Sequence, residues 1–136
     1  MKFSLTTKTN DLGLFQIKAE INFGNIAKGE LGGFIEKESN LSQYGDAWVY
    51  GDARVYGNAQ VSGDARVKKT KDYFCISGLG NESRTITITF SNKKISAGCF
   101  LGSITEFEIA VNKKYPNGSD YLTAIKFIYA MIEQRQ

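Results

Sequence analysis

Gly45-Asp46-Ala47-Trp48-Val49-Tyr50, Gly51-Asp52-Ala53-Arg54-Val55-Tyr56, Gly57-Asn58-Ala59-Gln60-Val61-Ser62 and Gly63-Asp64-Ala65-Arg66-Val67-Lys68 form an uninterrupted run of six-residue repeats. A fixed short period is the signature of a solenoid. Each unit offers one large apolar residue (Val49, Val55, Val61, Val67) and one small one (Ala47, Ala53, Ala59, Ala65) to point inward. Gly-Asp or Gly-Asn fits the corner, where the chain turns and φ becomes positive. Two weaker hexads precede the run, Gly33 to Glu38 and Ser39 to Tyr44. Three hexads close one triangular coil. Residues 33–68 therefore predict two coils of a left-handed β-helix, with residues eighteen apart stacked: Trp48 over Arg66, and Tyr50 over Lys68. A cation over an exposed aromatic face contributes about 0.5–1 kcal/mol.

Two coils are few. Solenoids generally need about three or more units, or caps. Either the flanking segments cap this one or further copies pack on its sides. A threefold assembly would dry the large outward groups; otherwise they stack on a solvated face. Asp46, Asp52 and Asp64 recur with the period, and the corner role accounts for them.

On the N-terminal side, Phe15, Ile17, Ala19, Ile21 and Phe23 alternate with Gln16, Lys18, Glu20 and Asn22, the period of a half-buried strand. Residues 2–7 supply a partner strand, with turn residues at 8–13. Gly24, Gly29, Gly32 and Gly33 break the pattern. On the C-terminal side, residues 73–76, 85–90 and 94–97 read as strands. Ser103 and Glu106 form a capping box at a helix start. Ile104, Phe107, Ala110 and Val111 give that helix one apolar face. Pro116-Asn117-Gly118 ends it. A second helix opens at Ser119 or Asp120, and its apolar residues, among them Leu122, Phe127, Tyr129 and Met131, cover more than one side. The second side is a candidate subunit contact. The fold class is α+β: a strand hairpin and short β-helix over 1–70, then a small antiparallel sheet with two helices over 71–136.

Composition narrows the chemistry. The chain has 136 residues, a net charge of +3 and no histidine, so the commonest general base and metal ligand are missing. No polybasic run points to a nucleic acid polymer. Cys75 and Cys99 are too few for a structural zinc site. They are a disulfide or two buried free thiols, and the free thiols fit a reducing cytosol. Met1-Lys2-Phe3-Ser4 does not open a signal peptide. No apolar run approaches the ~20 residues of a membrane span. Neither a metal, a cofactor nor a catalytic residue is expected.

Binding residues are easier to find. The segment 78–84 carries backbone donors with Asn81, Ser83 and Arg84, bordered in sequence by Phe74 and Phe100. An aromatic face stacks on a nucleobase, and a guanidinium holds phosphate. The helix start at Ser103 favours anions. The alternative places Phe74 and Phe100 in the core and Arg84 on the surface. Arg54 and Arg66 are candidates for a second anion site by charge alone.

The segment Lys28-Gly29-Glu30-Leu31-Gly32-Gly33-Phe34-Ile35-Glu36, followed by the Gly-Asp-Ala-Arg-Val-Tyr units, resembles bacteriophage and prophage hexapeptide-repeat proteins. The tail Gly98-Cys99-Phe100-x-Gly102-Ser103-x-x-Glu106-Phe107 is similar to that of the Thoeris anti-defence sponge family, which binds cyclic nucleotide immune signals without cleaving them. The resemblance implies a phage protein in the host cytoplasm, assembled as a trimer or trimer of dimers. It also implies a ligand of the cyclic ADP-ribose type near a C-terminal dimer contact, and in some members cyclic oligonucleotides at the threefold. Phe74 would stack on adenine, Ser103 would meet a ribose or phosphate oxygen, and Arg84 would make a polar base contact. Leu101 departs from the family pattern, which has an arginine there, and the choice of ligand stays open. Two other classes stand beside the sponge: a trimerising module of a phage assembly, and a degenerate acyltransferase-like protein.

Overall fold

The computed structural model describes residues 1–80 and 84–135. The fold is α+β. β1 (Phe3–Thr9) and β2 (Phe15–Ala19) form the antiparallel hairpin, and β3 (Leu31–Ile35) pairs antiparallel with β2. The short strands β4 (Trp48–Val49), β5 (Arg54–Val55) and β6 (Arg66–Val67) come from the repeat. β7 (Tyr73–Leu79), β8 (Arg84–Thr89), β9 (Lys94–Ala97) and β10 (Phe100–Ser103) make an antiparallel sheet in the order β10-β9-β8-β7. Two helices follow, α1 (Ile104–Lys114) and α2 (Asp120–Gln134). Among the described residues, no helix is long and apolar enough to cross a membrane.

The repeat stacks one turn of chain on the next by three parallel contacts: Ile35 with Val55, Leu41 with Val61, and Val49 with Val67. These large residues and the alanines of the repeat are buried. Gly45, Gly51, Gly57 and Gly63 all carry positive φ, 51° to 72°, as the corners require. The eighteen-residue offset holds for Trp48 and Arg66 but not for the earlier sides, where it is twenty. The reason lies between Leu41 and Val49, eight residues apart where every later step is six. The hexad frame drawn through 33–44 is corrected accordingly: the residues stacked on the later valines there are Ile35 and Leu41. Asn40 is fully buried and fully used. Its Oδ1 accepts from Glu36 and Lys37 N–H (3.1 and 2.9 Å), and its Nδ2 donates to the Gly57 and Ala59 carbonyls (3.1 and 2.9 Å).

The chain supplies caps for both ends of the stack. At the leading end Lys2, only 2% exposed, donates through Nζ to the Ala47 carbonyl (2.8 Å) and the Gly45 carbonyl (3.2 Å), with its ammonium 4.9 Å from the Phe23 ring centre. Gln43, from the lengthened step, accepts from the Lys2 and Phe3 N–H groups and donates to the Phe3 carbonyl. At the trailing end Arg54, Gln60 and Arg66 have backbone N–H groups with no further turn of chain to meet them. Hydroxyls take those bonds: Arg54 donates to Thr70 Oγ1 (3.1 Å), Gln60 to Thr87 Oγ1 (2.9 Å) and Arg66 to Ser91 Oγ (2.8 Å). Unmet buried donors would be strongly unfavourable.

Several expectations change. Trp48 is not an outward, solvated group over Arg66. It is fully buried, with Phe23 edge-on at 5.3 Å, because the N-terminal segment covers that side. Arg66 turns to Tyr50 Oη (2.6 Å) and Asn25 Oδ1 (2.9 Å). The Lys68 ammonium does lie 5.9 Å from the Tyr50 ring centre. The strand alternation stops at Ala19, and Ile21 is 47% exposed. Gly32 and Gly33 are strand residues and not breakers. A Cβ on Gly32 would stand 2.6 Å from the Val49 carbonyl oxygen and 2.7 Å from Ile17 and Trp48 side chains, so only glycine lets β3 lie this close. Cys75 and Cys99 are free, as one reading had it, but exposed and not buried.

Two apolar cores result. The first runs from Phe3 to Tyr73 and encloses the stacked turns. The second joins Ile86, Ile88, Ile95 and Ala97 of the sheet to Phe107, Val111, Tyr121, Ala124, Ile125 and Ile128 of the helices. β8 serves both sides. Ile86 and Ile88 face the helices, while buried Thr87 reaches the repeat. The Ser103–Glu106 capping box is formed, with each side chain bonded to the other's backbone N–H (3.1 and 2.9 Å).

Candidate functional site

Arg84 opens β8, paired across the sheet with Leu79. Phe100 opens β10, directly after the Gly98-Cys99 turn, and its ring lies 5.3 Å from Phe107. Both side chains line one cavity of about 100 Å³ between the sheet edge and α1, together with Phe107, Lys114, Tyr115 and Tyr121. Phe107 and Tyr121 meet at 6.0 Å, and Tyr121 and Tyr115 stack at 5.8 Å. The Lys114 ammonium stands 5.5 Å from the Tyr115 ring centre. The wall is therefore aromatic, and both of its charged residues are cations.

Arg84 also borders a second, polar cleft of about 280 Å³. Ser39, Asn58 and Gln60 of the repeat form one wall, and Thr85 and Gly98 of the sheet the other. Gly98 has positive φ, and a Cβ there would come within 3.7 Å of the Arg84 guanidinium. The aromatic cavity and the polar cleft thus meet at one arginine.

The remaining expected residues fall elsewhere. Phe74 stands apart from Arg84 and Phe100. It packs on Phe90 (5.4 Å) and edge-on to Phe127 of α2 (5.9 Å), the core position that was its other reading. It also borders a separate opening with Tyr56, Asn58 and Tyr73. Ser103 caps α1, and its hydroxyl oxygen accepts from Glu106 N–H. The Ser103 backbone N–H donates to the Glu106 carboxylate, and that bond, with the Ser103 side chain beside it, holds the carboxyl below the usual carboxylate range. Asn81 and Ser83 lie outside the described residues. Arg54 and Arg66 are not brought together. Arg54 pairs with Asp11 (3.3 Å), while Arg66 is held by Tyr50 and Asn25.

Sequence reasoning passed over Lys114, Tyr115, Tyr121, Asn58 and Gln60. Lys114 reads as a cation placed for a helix C-terminus. Tyr115 precedes the Pro116 turn, and Tyr121 belongs to the buried stripe of α2. Asn58 and Gln60 occupy ordinary repeat positions. No residue spacing places these beside Arg84, because the site joins segments far apart in the chain.

The described residues contain no group of three or more Cys, Asp or Glu side chains arranged to hold a metal ion. A scan against protein-family models and a search of curated proteins each return no match.

Proposed function

We propose that the protein is a non-enzymatic binder of a nucleotide signal of the cyclic ADP-ribose or cyclic oligonucleotide class, and that it counters phage defence in the host cytoplasm by sequestration. The observation that carries this reading is the single cavity shared by Arg84, Phe100, Phe107, Lys114, Tyr115 and Tyr121. Aromatic walls accept a flat base, and a guanidinium pairs with phosphate through two parallel bonds. Binding alone lowers the free signal by mass action, so no bond need break. A chain without histidine suits such a task.

The stacked turns are read as a short two-coil left-handed β-helix. The protein is read as a homo-oligomer, a trimer or trimer of dimers, with the helical end as a contact. Ile109 (64% exposed), Phe127 (50%) and Tyr129 (41%) stand on the outer surfaces of α1 and α2 in support of that contact.

Thermal shift with cyclic ADP-ribose isomers and with cyclic di- and trinucleotides tests the function. A ligand present at a hundred times its dissociation constant stabilises the folded state by about 2.7 kcal/mol. At least one of these ligands is expected to raise Tm by several degrees and to be recovered intact after heat denaturation. Recovery of a hydrolysed product, or no shift with the whole panel, overturns the reading.

A further inference from the structure

We infer that the ligand has two parts, and that the repeat itself reads the second one through Gln60 and Asn58. The inference rests on the nucleotide reading of the Arg84–Phe100 cavity and extends it. That cavity, at about 100 Å³, admits one flat ring system with little to spare. The adjoining cleft is almost three times as large, about 280 Å³, and Arg84 stands in the wall of both. A phosphate held by Arg84 would therefore have the base on one side of it. Whatever the phosphate carries next would lie on the other side, against the repeat.

The lining of the second cleft specifies what that next group is. Ser39, Asn58, Gln60 and Thr85 are neutral hydroxyl and amide side chains. They suit the hydroxyls of a second ribose, which both donate and accept hydrogen bonds. Several of these groups are already engaged. The Thr85 hydroxyl is shared with Ser77 (2.9 Å), and Asn58 Oδ1 accepts from Lys37 Nζ (3.2 Å). The Gln60 backbone N–H is spent on Thr87. The Gln60 side-chain amide has no hydrogen-bond partner among the described residues, and it is half-buried at the cleft. It therefore presents a donor and an acceptor where the second ribose would lie. The ligand class is a dinucleotide or an ADP-ribose, in which a second ribose follows the phosphate, and not a mononucleotide. This gives the solenoid a direct part in recognition.

Calorimetry with two probes, adenosine monophosphate and ADP-ribose, on the full chain and its Gln60→Ala variant tests the inference. The variant keeps the backbone bond to Thr87, and its Tm is measured alongside. Gln60→Ala is expected to weaken ADP-ribose about tenfold, the loss of one well-placed hydrogen-bonding group, and to leave adenosine monophosphate within about twofold. Arg84→Ala is expected to weaken both probes. Equal effects of Gln60→Ala on the two probes, or none on ADP-ribose, overturn the inference while leaving the nucleotide reading in place. Failure of the unsubstituted protein to bind ADP-ribose also overturns the inference, while the nucleotide reading stands or falls on the panel of cyclic ligands. Should Gln60→Ala lower Tm by more than a few degrees, Asn58→Ala replaces it under the same criteria.

Discussion

Lys2 is a charged residue folded into the end of a hydrophobic stack. Burial pushes its ammonium down from 10.5 to about 8, opposed in part by the Asp46 carboxylate and reinforced by Arg66. The ammonium nonetheless meets two carbonyls that have no strand partner at the leading end. Its titration carries a definite sign. Between pH 8 and 10.5 the unfolded chain binds more protons at this site than the folded chain does, so stability from Lys2 rises with pH. That contribution is complete above the unfolded value and is lost as pH falls through 8. Tyr73 limits the usable range, because burial raises its phenol above the ordinary value and its stabilising effect fades above pH 10. Urea unfolding of wild type and Lys2→Met from pH 7.5 to 9.5 should show wild type gaining on the variant as pH rises. A constant difference would refute this account of Lys2.

At the scale of elements, the instructive feature is how a two-turn stack ends. A longer stack would satisfy each edge with the next turn of chain. Here Thr70, Thr87 and Ser91 stand in for that turn on the trailing edge, each taking one backbone N–H. Thr87 is the most buried of the three contacts, at 1% exposed. Thr87→Val keeps its shape and removes the acceptor. It should destabilise the fold by about 1–3 kcal/mol, the usual effect of stranding a buried donor. Chemical denaturation would read this as a lower midpoint with an unchanged slope. An effect below about 0.5 kcal/mol would mean that the Gln60 N–H finds another partner. The alternation Thr85-Ile86-Thr87-Ile88-Thr89 thereby has a use on both faces. Isoleucines enter the second core, and threonines turn toward the repeat or line its clefts.

At the scale of the molecule, caps drawn from one chain remove one motive for assembly, the two open ends. The other motive remains: apolar side chains on the outer surfaces of α1 and α2, with Phe127 half exposed beside a groove formed with Ile76, Leu79 and Ala124. The proposed assembly predicts a solution mass of three or six times 15.1 kDa by light scattering. A mass of 15.1 kDa at all accessible concentrations would exclude it. Substituting Phe127 with Ser would then discriminate further, since a contact through α2 should dissociate while the buried stripe Tyr121, Ala124, Ile125 and Ile128 stays intact.

Much of this protein was legible in its residues because the signals are local. Valines and alanines at period six and glycines at the corners are short-range demands of the backbone and of packing. So are the Ser103–Glu106 box and the alternation of β2, which the chain meets up to Ala19. The sequence by itself determined the stacked repeat and the α+β class, and it offered Arg84 and Phe100 among its candidates. Tertiary structure decided what depends on distant segments meeting. It buried Trp48 under Phe23, placed Lys2 on the Ala47 carbonyl and moved Phe74 into the second core. It also set Asn58 and Gln60 beside Arg84. The physical reason is that a local pattern states which face of an element is apolar, whereas a cap or a cleft depends on which other element arrives there.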